Sequence, residues 1–335
     1  MSHLPDIRHP VYSVVIPIYN EAELLPILHA RVSQVVQQLN AAYEMIYIND
    51  GSRDESLILL RGFCMQDPHV RVVSLSRNFG HQTAISAGLW YARGDRAIVM
   101  DGDLQDPPEV ILPMVAKCEE GFDVVYGVRL QRKESWWKRA AYHTFYRLLR
   151  SMAHIEVPLD AGDFCLLSRQ VVDLLNQMPE RNRFVRGLRS WVGLKQAGLP
   201  YQRDRRFAGK AKYTFAKLWQ LSLDGLFSFS YAPLRLAMYL GLIVSAGSFV
   251  GILVVLWWRF TTKTMVFGFA SLAILVLFLG GLHLVTIGVI GEYVGRIFDE
   301  VKQRPRWVVG ELVGFQTLRA TQAADDAGET IKTSG

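Results

Sequence analysis

Short apolar runs alternate with stretches of helical periodicity along the first 130 residues of the chain. Runs rich in β-branched residues predict strands, and apolar residues spaced three and four apart predict the helices between them. The predicted strands are 11–18, 44–49, 70–75, 97–100 and 123–127, and the predicted helices are 21–39, 52–66, 82–92 and 109–120. Ser52 and Glu55 have the spacing of a capping box, which predicts that the second helix begins there. The alternation predicts an α/β fold with a doubly wound sheet.

The C-terminal half has a different pattern, with two long runs, 236–258 and 266–291, that contain no Asp, Glu, Lys or Arg. Each run exceeds the roughly 20 residues that a helix needs to cross a bilayer, so both are predicted transmembrane helices. The short link between them predicts a hairpin over 235–295. Lys and Arg residues flank both outer ends, whereas the link holds only Arg259 and Lys263. We therefore expect both ends to be cytoplasmic.

Two segments before the hairpin mix aromatic and basic residues. The segment 135–153 carries Trp, Tyr and Phe among Lys and Arg, which is typical of an amphipathic helix in a membrane interface. A surface helix packed on the catalytic domain explains the same pattern equally well. The segment 214–234 predicts a second interfacial helix. The expected organisation is a catalytic domain over 1–213, these helices, the hairpin, and a cytoplasmic tail over 296–335 with a disordered end.

The charge of the chain narrows the classes of partner. Its 335 residues carry a formal net charge of +6, and half of them are hydrophobic. A basic chain suits nucleic acid, a phosphorylated substrate or an anionic membrane surface. The apolar C-terminal half favours the last two, and the sequence contains no nucleic-acid recognition motif. The cysteines Cys64, Cys118 and Cys165 have neither metal nor redox spacing, so we expect reduced thiols.

Two carboxylates follow the predicted strand 97–100. Asp101 and Asp103 lie one residue apart, and Asp106 precedes Pro107 and Pro108. Ligands of open α/β sheets bind at the carboxyl ends of strands. Close carboxylates in that position favour Mg²⁺ or Mn²⁺ together with the oxygens of a diphosphate. The alternative is an acidic turn that caps the next helix.

Three further groups fit a nucleotide-linked substrate. Asp50 ends the second strand and suits a base or ribose, while Asp160 and Asp163 are expected beyond the sheet. The segment 203–213 is a basic loop around Gly209, placed just before the membrane segments. A solvated patch facing an anionic bilayer is the alternative for that loop. Its position also suits the meeting of a lipid phosphate with a sugar donor.

Four motifs resemble glycosyltransferase family 2. They are Pro-Ile-Tyr-Asn-Glu at 17–21, Asn-Asp-Gly-Ser at 49–52, Asp-Gly-Asp-Leu-Gln-Asp-Pro at 101–107 and Gly-Lys-Ala-Lys-Tyr at 209–213. The chain is similar to the polyprenyl-phosphate glycosyltransferases related to dolichol-phosphate mannose synthase. Its two-span tail resembles the bactoprenol glucosyltransferase branch. The resemblance extends to about Val313, and Ala211 departs from it because Ser or Thr is expected there.

The resemblance implies a GT-A fold, a nucleotide-sugar donor, Mg²⁺ or Mn²⁺, and inversion at the anomeric carbon. It assigns roles to fifteen residues by position. The implied catalytic residues are Asp103, Asp160, Asp163 and Arg206, and the donor-binding residues are Pro17, Tyr19, Glu21, Asp50, Asp101, Gln105 and Lys212. The acceptor phosphate is assigned to Arg129, Arg139, Arg203 and Lys210, and the metal to Asp101 and Asp103. A phosphate acceptor is mostly dianionic at neutral pH. We therefore expect Asp160 to orient a substrate more than to remove a proton.

The expected reaction is transfer of one hexose, with glucose from UDP-glucose favoured, onto undecaprenyl phosphate or a similar lipid at the cytoplasmic face of the cell membrane. Mannose from GDP-mannose or an aminoarabinose is an alternative sugar. A processive polysaccharide synthase is a rival, although the segment 186–191 only approaches its Gln-x-x-Arg-Trp motif. A membrane scaffold with a degenerate transferase domain is the non-enzymatic alternative. Gly247 and Gly251 permit close helix contact, and we expect a homo-oligomer.

Overall fold

A computed structural model describes residues 9–130, 161–181, 183–204, 232–262 and 268–315. These residues fall into two compact units. The first holds the described residues up to 204 together with 305–315, and the second holds 232–262 and 268–304. Several predictions lie outside the described residues: the segment 135–153, the segment 214–234 except its last three residues, the end of the tail, and the residues Asp160, Arg139, Arg206, Lys210 and Lys212.

The first unit contains an eight-stranded sheet. Its strands are β1 (Tyr12–Ile18), β2 (Tyr43–Asn49), β3 (Val70–Leu75), β4 (Arg96–Val99), β5 (Val124–Leu130), β6 (Ala161–Ser168), β7 (Gln196–Gln202) and β8 (Val309–Val313). Its helices are α1 (Leu25–Gln37), α2 (Ser56–Gln66), α3 (His81–Tyr91), α4 (Ile111–Glu119), α5 (Arg169–Gln177) and α6 (Val185–Val192), with a 3₁₀ turn at Pro108–Val110 before α4.

The strand order is β7-β5-β6-β4-β1-β2-β3-β8. The pairs β1–β2, β1–β4, β2–β3 and β5–β7 are parallel, whereas β6 is antiparallel to both β4 and β5, and β8 is antiparallel to β3. The fold is therefore a GT-A-like α/β fold with a mixed sheet. The carboxyl ends of β1, β2, β4, β5 and β7 meet at one edge with the amino end of β6, which we call the carboxyl edge.

The central strands are buried on both faces, which explains their continuous apolar runs. Helix α1 covers one face with Leu25, Leu28 and Val32, which are fully buried. Helix α3 packs so closely on β1 and β2 that a Cβ at Gly88 would lie 2.3 Å from a methyl group of Val15. The periodicity of the first 130 residues thus predicted the elements that build the core.

Four expectations need correction. The capping box is wrong, because α2 begins at Ser56 and the polar side chains before it bind another loop. Asp163 lies inside β6 rather than beyond the sheet, since that strand begins at Ala161. Arg129 lies within β5, which is longer than the predicted strand 123–127. The C-terminal region supplies a strand, β8, that the sequence pattern did not indicate.

The second unit contains two long helices that contact each other, α7 (Ala232–Thr262) and α8 (Phe269–Val301). Within the described residues, one segment, Phe278–Val301, is long and apolar enough to cross a membrane. In α7 the apolar segment is shorter, Ala237–Gly251. Large apolar side chains such as Leu242, Ile243 and Leu284 are exposed on both helices.

Candidate active site

The loops that follow β1 and β2 are joined by reciprocal hydrogen bonds. The backbone N–H of Asn20 donates to Oγ of Ser52, and the N–H of Arg53 donates to Oδ1 of Asn20. The N–H of Ala22 donates to Asp54. Because β1 and β2 are parallel neighbours, both loops leave the sheet at the carboxyl edge. The network fixes the position of Tyr19 and Glu21, which the sequence assigned to the donor.

Asp50 holds a third loop against the same edge. Its carboxylate accepts hydrogen bonds from the backbone N–H of Phe79 at 2.7 Å, the N–H of Gly80 at 3.0 Å and the side chain of Asn78 at 3.0 Å. Asp50 is 3% exposed, and burial raises its pKa although these backbone donors oppose the shift. Asp50 therefore connects the end of β2 to the residues that lead into α3.

His81, at the start of α3, lies between two carboxylates. Its Nε2 is 3.3 Å from Oδ1 of Asp101 and 3.3 Å from Oδ2 of Asp163. The antiparallel register of β4 and β6 explains why the two carboxylates lie close together. Val99 pairs with Cys165, so Asp101, two residues after Val99, lies opposite Asp163, two residues before Cys165. Burial alone would lower the pKa of His81, but both carboxylates hold it well above its usual value.

Asp163 is anchored from behind by two side chains. Arg186 of α6 donates to both of its oxygens, at 2.7 and 2.9 Å, and Gln82 of α3 donates to Oδ2 at 3.2 Å. The oxygen of the Gln82 amide accepts the N–H of Val185, which ties α3 to the start of α6. Burial opposes ionisation of Asp163, but Arg186 and His81 outweigh it and hold its pKa well below the usual range.

The chain makes a tight turn after Asp101. Leu104 has a φ of +54°, an unfavourable backbone conformation for a branched side chain. Oδ1 of Asp103 accepts the N–H of Gln105, and Oδ2 lies 4.0 Å from a guanidinium nitrogen of Arg203. A non-glycine residue at positive φ costs of order 1–3 kcal/mol. The turn therefore holds Asp103 in place at the expense of local strain.

Asp106 is fully buried beside the same turn and organises two basic side chains. It accepts hydrogen bonds from the hydroxyl of Tyr201 and, at 3.1 Å, from Nε of Arg203. Arg129 lies 3.5 Å from its other oxygen. Burial raises the pKa of Asp106, against the effect of Arg129. These contacts place Arg129 and Arg203 together near Asp103.

The donor set fits a divalent cation. Oδ1 of Asp101 is buried and accepts no hydrogen bond from any residue that the structure describes. One ligand atom each of His81, Asp101 and Asp163 lie within 4.8 Å of one another. Carboxylate oxygens suit Mg²⁺ and Mn²⁺, and imidazole nitrogen is a common ligand of transition metals.

Of the residues that the sequence assigned to the site, ten lie in the described part of the chain. Asp101, Asp163, Asp103, Gln105, Arg129 and Arg203 occupy one stretch of the carboxyl edge, and Pro17, Tyr19, Glu21 and Asp50 belong to β1, β2 and their loops. Sequence reasoning missed His81 and Gln82, and it placed Asp106 beside Asp101 and Asp103 without assigning it a role. It noted Arg186 only as part of the segment 186–191, which approaches the Gln-x-x-Arg-Trp motif without matching it. The available signal for His81 was its position, directly after the loop that follows β3.

A mixed α/β sheet with carboxylates and arginines at its carboxyl edge is the arrangement that the resemblance to GT-A glycosyltransferases implies. The sequence model of "Glycosyl transferase family 2" matches residues 13–175. A Bacillus subtilis protein named "Uncharacterized glycosyltransferase YkcC" is 45% identical over 93% of this chain and 97% of its own length. The chain therefore belongs to glycosyltransferase family 2, and it is an enzyme of that family.

Two further relatives carry more specific names. The "Prophage bactoprenol glucosyl transferase homolog" of Escherichia coli is 39% identical over 89% of this chain and 97% of its own length. The "Bactoprenol glucosyl transferase" of Shigella phage SfII is 40% identical over 89% of this chain and 96% of its own length. The similarity thus covers almost the whole length of these relatives, beyond the matched family segment.

Proposed function

We propose that the protein transfers a single glucose from UDP-glucose to a polyprenyl phosphate such as undecaprenyl phosphate, with inversion, at the cytoplasmic face of the cell membrane. The observation that carries the proposal is the nearly full-length similarity to proteins named bactoprenol glucosyl transferase. The carboxyl edge supplies the chemistry that such a reaction needs. Its carboxylates suit a cation, and its arginines suit phosphate oxygens.

The donor would lie along the carboxyl edge. In the proposed arrangement Tyr19, Glu21 and the Asp50 region hold the nucleoside, while Asp101, Asp103 and Gln105 face the diphosphate and its metal. A bound Mg²⁺ or Mn²⁺ would neutralise the negative charge that develops on the departing diphosphate. The strained turn at Leu104 supports this role, because it keeps Asp103 oriented before the donor arrives.

The acceptor phosphate would meet Arg129 and Arg203. Both guanidinium groups are held by Asp106, so their direction is fixed before a ligand binds. A phosphate monoester has a second pKa of about 6 and is already largely deprotonated at neutral pH. The arginines therefore need to position the nucleophile and shield its charge from the diphosphate. Removal of a proton is a minor part of the barrier.

The long helices provide the lipid-facing part of the proposal. Helices α7 and α8 contain 31 and 33 residues, or about 46 and 50 Å at 1.5 Å per residue. Both lengths exceed the roughly 30 Å thickness of a bilayer core. We propose that both helices cross the membrane as a hairpin. The catalytic domain and the C-terminus would then lie in the cytoplasm, where nucleotide sugars are available.

Membranes that contain the full-length protein test the reaction directly. They are incubated with undecaprenyl phosphate and a panel of labelled nucleotide sugars, and the extracted lipid is analysed by mass spectrometry. We expect one added hexose per lipid, with UDP-glucose as the preferred donor. Labelled polymer would instead indicate a processive synthase, and no transfer from any donor would refute the proposal.

A matched pair of variants assigns the reaction to this site. Asp101→Asn removes a partly buried carboxylate at the carboxyl edge, and we expect it to abolish transfer. Asp173→Asn changes an exposed acid on α5, whose side chain is 55% exposed and pairs with Arg169. The second variant should retain wild-type transfer. Equal activity in both variants would place the reaction elsewhere.

A further inference from the structure

His81 lies in a position that the aspartate motif of this family does not explain. It is the first residue of α3, and its Nε2 is equidistant, at 3.3 Å, from Asp101 and Asp163. The two carboxylates differ in what surrounds them. Asp163 receives three hydrogen bonds from Arg186 and Gln82, whereas Oδ1 of Asp101 receives none from the described residues.

The distance between His81 and Asp101 suits two ligands of one cation. Ligand bonds of about 2.1 Å in an octahedral shell place adjacent donor atoms about 3 Å apart. The observed 3.3 Å between Nε2 and Oδ1 is close to that spacing. Oδ2 of Asp163 lies at the same 3.3 Å from Nε2, so Asp163, which Arg186 and Gln82 hold in place, presents a third ligand atom to the same position.

We propose that His81, through Nε2, is a nitrogen ligand of the divalent cation bound by Asp101, with Oδ2 of Asp163 as a further oxygen ligand. The inference rests on the proposed function, because it deepens the cation site assigned there. Arg186 and Gln82 fix the Asp163 carboxylate, and the ring nitrogen of His81 completes the site from the side of α3.

A nitrogen ligand has a consequence for the choice of metal. Mg²⁺ prefers oxygen ligands and retains its water, whereas imidazole binds transition metals better. The site should therefore bind Mn²⁺ in preference to Mg²⁺. Replacing His81 by asparagine keeps a small polar side chain but removes the imidazole, so the preference for Mn²⁺ should fall.

Pulsed electron paramagnetic resonance of Mn²⁺ bound to the full-length protein in detergent tests the ligand directly. We expect the electron-spin-echo modulation of directly bound ¹⁴N in the wild type and its loss in His81→Asn. Loss of a ligand should weaken Mn²⁺ binding at least about tenfold. Mg²⁺ should then compete more effectively for the site. His9→Asn, which changes an exposed histidine, is the control and should keep the nitrogen signal.

Asp101→Ala separates this inference from the proposed function. If Asp101→Ala abolishes Mn²⁺ binding but the wild type shows no nitrogen coupling, His81 is not a ligand and the inference is refuted, while the cation site stands. If Asp101→Ala leaves Mn²⁺ affinity unchanged, both the inference and the proposed cation site fail. Circular dichroism of each variant checks that the fold is retained. None of these measurements depends on the identity of the sugar.

Discussion

A buried ion pair at the edge opposite the site allows stability to be tested apart from chemistry. Glu44 is the second residue of β2, and its Oε2 lies 2.6 Å from Nε of Arg71 on β3. Its other oxygen accepts the hydroxyl of Ser13 at 2.6 Å and the N–H of Arg93 at 2.8 Å. The Glu44 and Arg71 side chains are only 1% and 7% exposed. Glu44 therefore joins three strands at the amino end of the sheet.

Glu44→Gln keeps the shape of the side chain and removes its charge. Because Arg71 would remain buried without its counter-ion, the loss in unfolding free energy should be about 3–5 kcal/mol. For a domain of this size, about 2–4 °C of melting temperature corresponds to each kcal/mol, so Tm should fall by about 6–20 °C. Glu44 is separated from Asp50 by about 20 Å of strand, so nucleotide affinity should not change.

Thermal unfolding of the purified protein in detergent, with and without UDP, measures both quantities. Glu311→Gln is the matched control, because Glu311 pairs with Arg61 but the two side chains are 37% and 42% exposed. An exposed pair contributes about 0–1 kcal/mol. If Glu44→Gln shifts Tm no more than Glu311→Gln does, the argument from burial is wrong.

Three other outcomes follow from the site. Gly51→Ala should weaken UDP binding severalfold by calorimetry, because Gly51 has φ +65° and a Cβ would lie 2.4 Å from the backbone of Arg77; unchanged affinity would show that this loop does not contact the donor. Asp50→Ala leaves three donors without their acceptor and should cost about 2–3 kcal/mol in denaturant unfolding, whereas a neutral result would contradict the assigned network. Chelation of divalent metal should abolish sugar transfer, and added Mn²⁺ should restore it; transfer that persists in chelator would refute metal dependence.

The sequence predicts those features of the fold and the site that depend on the local pattern of residues. Periodicity identified the first five strands, and the rule that ligands bind at the carboxyl ends of strands placed Asp50 and Asp101 at one edge of the sheet. The assignment of Asp163 beyond the sheet failed for a physical reason. Pairing with β4 and β5 makes the segment that holds Asp163 a strand, and its anchors, Gln82 and Arg186, are 81 and 23 residues away in the chain.

The C-terminal strand was missed for a similar reason. Five residues, Val-Gly-Glu-Leu-Val, follow a charged segment and carry little strand signal of their own. Their partner is β3, and Arg61 reaches Glu311 across 250 positions of sequence. Phe315, just beyond the strand, packs its ring against Tyr91 and below the guanidinium group of Arg71. Long-range packing of this kind is absent from any local window.

The pairing of β8 with β3 also constrains how many times the chain can cross a membrane between them. Residues before α7 and after α8 belong to one sheet, so the polypeptide departs from a folded body and returns to the same body. A chain whose departure and return lie on one side of a bilayer can traverse it only an even number of times. If α8 alone crossed the bilayer, β8 would lie on the opposite side of the membrane from the rest of its sheet. If α8 traverses the bilayer, a second membrane crossing must therefore accompany it.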